Sequence, residues 1–127
     1  MSREEFESKL RQLDIEDFIW LIYIGIIFMS WLANHLERDY FINNNSESKE
    51  EYRKILIIIF TILVIVYSYF LNSSFIDVKN LKSTDSPKTK QLVILSFIGS
   101  LLIAISGVIF LYIAIMDEDI RVELAFN

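Results

Sequence analysis

Residues 91–116 read QLVILSFIGSLLIAISGVIFLYIAIM, and from Leu92 to Met116 there are 25 residues without a charge, an amide or a proline. As an α-helix rising about 1.5 Å per residue, this stretch is about 37 Å long, more than the ~30 Å of a bilayer core. It is apolar on every face, so no one-sided packing against a water-soluble core would satisfy it. The stretch reads as a membrane span.

Two more blocks read the same way: FIWLIYIGIIFMSWLA at 18–33 and ILIIIFTILVIVYSYFL at 55–71. The chain of 127 residues is one domain, 54% hydrophobic and 14% aromatic, with a mean hydropathy of +0.42. Its charged residues, 23% of the total, are excluded from the three blocks. That segregation is the membrane signature. Allowing for the shortness of the first block, the spans are placed at 18–36, 53–71 and 91–116. Trp20 and Trp31 sit near the two ends of the first span, and Tyr67 and Tyr69 mark the far end of the second. Aromatic side chains there reach the headgroups while keeping their rings apolar. The expected fold class is all-α, an integral membrane protein with three transmembrane helices and a short N-terminal amphipathic helix.

The segments around the spans carry their own signals. Residues 1–17 hold six acids against three bases, unlike a cleavable signal peptide, so the first span is expected to be an uncleaved anchor. Ser2 and Glu5 have capping-box spacing. Phe6, Leu10 and Leu13 form one narrow stripe, which predicts a short helix on the membrane surface or against the bundle. Asp14 or Asp17 is then expected to cap the next helix. Ser48 with Glu51 has the spacing of a second box, after a connection at 37–54. A third polar stretch, 72–90, reads as loop from Lys79 onward. The tail, 117–127, opens on three acids, which should end the last helix near Met116. Within it Ile120, Val122, Leu124 and Phe126 alternate with other residues, the period of a short strand. Such a strand needs a partner, either residues 40–43 or the sheet edge of another protein.

In the third span the small residues gather on one face: Ser96, Ser100, Ala104, Gly107 and Ala114, with Gly99 beside them. Helices associate in lipid by close packing, which small residues permit, so this is the expected helix-packing face. Its partner is another span or a second copy. Gly25, in the middle of the first span, similarly admits a close neighbour.

The chemistry that is missing narrows the function. No Asp, Glu, Lys, Arg or His lies within the apolar blocks 18–33, 55–71 and 92–116, which argues against proton-coupled transport and intramembrane catalysis. There is no cysteine and no phosphate-binding, zinc or nucleophile motif. His35, the only histidine, reads as a polar residue at a helix end. A net charge of −5 gives no basic surface for nucleic acid. The sequence therefore predicts no enzyme, no cofactor, no metal and no small-molecule substrate, and a lipid bilayer as surroundings. The leading function is an interaction subunit, adaptor or scaffold that contacts a membrane-protein partner or a second copy. It would act through the packing face and the tail residues Ile120, Val122, Leu124 and Phe126. The alternative is a self-assembling pore lined by Ser96, Ser100 and Ser106. The chain is similar to holins only in size and number of spans. Seven Lys and Arg flank one side and five the other, which predicts a cytoplasmic N-terminus, in the cell membrane of a bacterium.

Overall fold

The computed structural model describes residues 2–124, and their only regular elements are three helices: α1 (Arg3–Asn43), α2 (Ser46–Lys79) and α3 (Pro87–Met116). All three are long and apolar enough to cross a membrane. The fold is all-helical, as the hydropathy pattern predicts.

Helix α1 starts at the expected capping box. The Ser2 hydroxyl accepts from the Glu5 amide at 3.1 Å, and the Ser2 amide donates to the Glu5 carboxylate at 3.3 Å. The amphipathic segment is helical, but it forms the opening turns of α1 and is not a separate element. Neither Asp14 nor Asp17 caps a new helix, because no glycine or proline interrupts residues 3–24 and nothing forces a break. At 41 residues α1 is about 61 Å long, roughly twice a bilayer core. Phe6, Leu10 and Leu13 stay exposed along its outer part.

The connection expected at 37–54 is only two residues long. Asn44 turns the chain in the left-handed region (φ 53°), and Asn45 caps α2 by accepting from the amides of Glu47 and Ser48. Asp39 fastens this turn. Its carboxylate accepts from Asn43 Nδ2 (2.6 Å), Asn45 Nδ2 (2.9 Å) and the Ser48 hydroxyl (2.5 Å). The Ser48 and Asn43 hydrogen bonds hold the Asp39 carboxyl below the usual carboxylate range. Ser48 is thus a tether and not a helix cap, and Glu51 does not form the second capping box.

Helix α2 is the centre of the molecule. Tyr52, Leu56, Ile59, Phe60, Leu63 and Val66 recur at helical spacing and are buried. Helices α1 and α3 each pack on α2, and among the described residues neither brings a Cα within 8 Å of the other. Ala33 of α1 is fully buried, so α1 sits close to α2. Where α3 crosses α2, Gly107 lies under the Tyr67 ring, and a Cβ on Gly107 would stand 2.9 Å from Tyr67 Cδ2.

The second connection, 80–86, is shorter than the sequence suggests, because α2 continues to Lys79. It is ordered by the Lys82 amide donating to Asp85 Oδ2 at 2.7 Å. Ser86 then caps α3 by accepting from the Thr89 amide, with Pro87 in the first turn. Helix α3 ends at Met116, as expected.

Candidate functional site

The small-residue face of α3 divides in two. Gly107 and Ala114, toward the C-terminal end, are buried against α2, and Ala104 is half-buried. Toward the N-terminal end, Ser100 and Gly99 are half-buried and Ser96 is exposed, and a Cβ on Gly99 would meet nothing within 4 Å. The division follows from α2 being the centre: it covers one side of α3, and α1 does not cover the other.

Between the three helices lies a cleft of about 320 Å³. Glu16 and Tyr23 line it from α1, Tyr67 and Asp77 from α2, Ser96 and Ser100 from α3. Its wall mixes carboxylates, hydroxyls and apolar side chains. Glu16 and Asp77 stand at the ends of the apolar segments. Tyr23 lies about 8 Å along α1 from Phe18, and Ser100 about 13 Å along α3 from Gln91. Phe70 and Ile103 add apolar wall. Outward, Asp77 also borders a continuation of the cleft that Arg11 flanks. Neither Glu16 nor Asp77 has a hydrogen-bond or salt-bridge partner among the described residues. The buried Ser74 hydroxyl donates to the Leu71 carbonyl at 3.0 Å. Of the three serines that would line a pore, Ser106 donates to its own helix, to Leu102 O at 2.9 Å, while Ser96 and Ser100 face the cleft.

The tail is not a strand. Residues 40–43, its expected partner, are helical, and Ile120 adopts φ 53°, which breaks the alternation. The Asp117 carboxylate causes the turn. It accepts from the Arg121 amide at 2.8 Å and the Val122 amide at 2.9 Å, bonds that hold it below the usual carboxylate range. Ile120 is consequently half-buried, Val122 is exposed, and Leu124, 5% exposed, joins the core with Ala33, Tyr52, Leu56 and Ala114. Phe126 lies outside the described residues. Two cations of α2 tie the tail down. Arg53 Nη2 donates to the Ile115 carbonyl at 3.0 Å, at the negative end of the α3 dipole, and Lys49 pairs with Asp119 at 3.4 Å.

The tail meets α1 at a pair of acids. Glu123 stands against Glu37, and the hydrogen bond that a protonated Glu123 can donate to the Glu37 carboxylate, together with the repulsion between the two charges, raises the Glu123 carboxyl above its ordinary value. A raised carboxyl favours the docked state when protonated, and the hold weakens as pH rises from the unfolded value through the folded one. A single spin label at Val122→Cys, in a chain with no native cysteine, should therefore gain mobility between an acidic and a neutral buffer. The change should disappear in Glu37→Gln. A label equally mobile at both pH values would rule out the acid pair as a restraint.

Sequence reasoning treats the tyrosines as interfacial anchors. Trp20 and Trp31 are indeed exposed near the ends of their span, but Tyr52 is buried in the core, and Tyr23 and Tyr67 face the cleft. Glu16 and Asp77 escape notice as ordinary charges outside the spans. The available signal is helical spacing: Glu16 and Tyr23 lie seven apart, as do Tyr67 and Ser74, and Ser96 and Ser100 lie four apart. Comparison of the chain with protein families, with curated proteins and with solved structures finds no match to any of them.

Proposed function

We propose that the protein is a small, non-enzymatic membrane subunit that binds another membrane protein through the outer face of α1. In this reading it spans a bacterial cell membrane three times with its N-terminus in the cytoplasm. The supporting observation is Gly25. In lipid, glycine in a spanning helix is useful where a second backbone comes close. No atom of α2 or α3 lies within 4 Å of a Cβ built at Gly25, and its face carries the exposed Leu21, Phe28 and Leu32. A notch that its own bundle leaves unused suits a helix from elsewhere. The burial of Leu124 takes one residue of the tail out of such a role and shifts the weight to this face.

The test is a photocrosslinking residue at Phe28 in native membranes, with Ile109 on α3 as the lipid-facing control. A discrete protein adduct at Phe28, absent at Ile109 and lost in Gly25→Leu, is the expected result. Equal labelling at both positions, or lipid adducts alone, would reject the α1 face as a docking surface.

A further inference from the structure

We propose that the cleft between α1 and α3 binds a bilayer amphiphile with an ammonium head, held by Glu16 and Asp77 and by the hydroxyls of Tyr23, Tyr67, Ser96 and Ser100. The inference is independent of the α1 docking face, which lies elsewhere on the molecule.

Three observations carry it. The first is charge. The charged groups bordering the cleft and its outward continuation are Glu16, Asp77 and Arg11, one net negative charge, and neither carboxylate is paired among the described residues. A single ammonium balances that charge, and its N–H groups donate to carboxylate and hydroxyl oxygens alike. The second is depth. The carboxylates stand at the ends of the apolar segments, and the cleft runs inward from them past Phe70 to Tyr23, Tyr67 and Ile103, so an occupant reaches from the interface into the span as an amphiphile in a leaflet does. A hydrated inorganic cation would leave the inner wall unused, and a neutral lipid would leave the half-buried Glu16 and the exposed Asp77 without a cationic partner. The third is access and size. Helices α1 and α3 do not close over the cleft, so an occupant can enter sideways from lipid. At about 320 Å³ the volume lies at the lower end of ligand sites, about 300–1,000 Å³. It accommodates a head and the first carbons, with the rest of the chain left among the lipids.

The experiment uses the full chain in nonionic maltoside micelles and native mass spectrometry, with dodecylammonium as the probe. One retained dodecylammonium per chain is expected. Glu16→Gln combined with Asp77→Asn should weaken it at least about tenfold, as expected for lost charge-assisted contacts. Ser100→Leu, which fills the cleft, should abolish it, and Glu118→Gln at the opposite end should leave it unchanged. Helical content by circular dichroism and elution volume check that each variant is folded. If Ser100→Leu fails that check, the carboxylate variant and the competing probes decide. Equal retention of dodecyl sulfate or 1-dodecanol would overturn the charge assignment. Methylammonium binding as tightly as dodecylammonium would overturn the amphiphile. Full binding by the folded carboxylate variant would overturn the site.

Discussion

Gly107→Leu is expected to lower the unfolding free energy of the protein in bicelles by about 1–3 kcal/mol, the usual cost of overpacking a closed contact. A Cβ alone would lie 2.9 Å from Tyr67 Cδ2, 3.3 Å from Tyr67 Cε2 and 3.5 Å from Val64 Cγ2. The Tyr67 ring must therefore tilt or α3 must shift away from α2. The added branches of leucine make either response larger. Gly99→Leu is the matched control, since a Cβ there meets nothing within 4 Å. Its effect should stay within about 0.5 kcal/mol. The measurement is unfolding by titrated SDS, followed by loss of helical signal. Equal effects at the two glycines would mean that α3 does not cross α2 at Gly107.

Phe60→Ala carries the second large effect. Phe60 is 1% exposed and lies 5.8 Å, ring centre to ring centre, from Phe110 of α3. In a water-soluble core such a truncation costs about 3–5 kcal/mol, part of it transfer of the lost atoms from water. In lipid the transfer part largely vanishes, because an unpacked helix still keeps its side chains in hydrocarbon. The cavity and the lost dispersion contacts remain. The expected cost is therefore smaller, about 2–3 kcal/mol by the same cavity reasoning, again read by SDS titration. Phe28→Ala, on the exposed side of α1, should cost well under 1 kcal/mol in the isolated protein. Comparable losses at both positions would mean that α2 does not hold the centre.

The three apolar helices were legible because exclusion of charge from long blocks is a property of the chain itself, independent of what packs on what. The Ser2 cap and the stop at Met116 were legible for the same reason, being local. The short turn at Asn44 and Asn45 was not. Polar helix ends and polar loops share a composition, and what separates them here is Asp39, whose carboxylate gathers three donors from both sides of the turn. The tail misled in a different way. Its alternation is real in sequence, but Asp117 folds back onto the amides of Arg121 and Val122 and forces Ile120 into the left-handed region. A single side-chain cap outweighed a weak pattern of four alternating apolar residues. The cleft required knowing that α1 and α3 both lean on α2 and not on each other, a fact of tertiary packing with no periodic trace in any one helix.

That last arrangement has a mechanical consequence. Two covers attached to one spine can swing apart without parting closely packed backbones, since no Cα of α1 comes within 8 Å of one in α3. The swing is not free along its whole length. At one edge the tail acts as a clasp, with Leu124 seated in the core and Glu123 against Glu37 of α1. Opening is thereby confined to the opposite edge, where Glu16, Asp77 and Ser96 lie, and its width is governed by a fastening about a full membrane's thickness away.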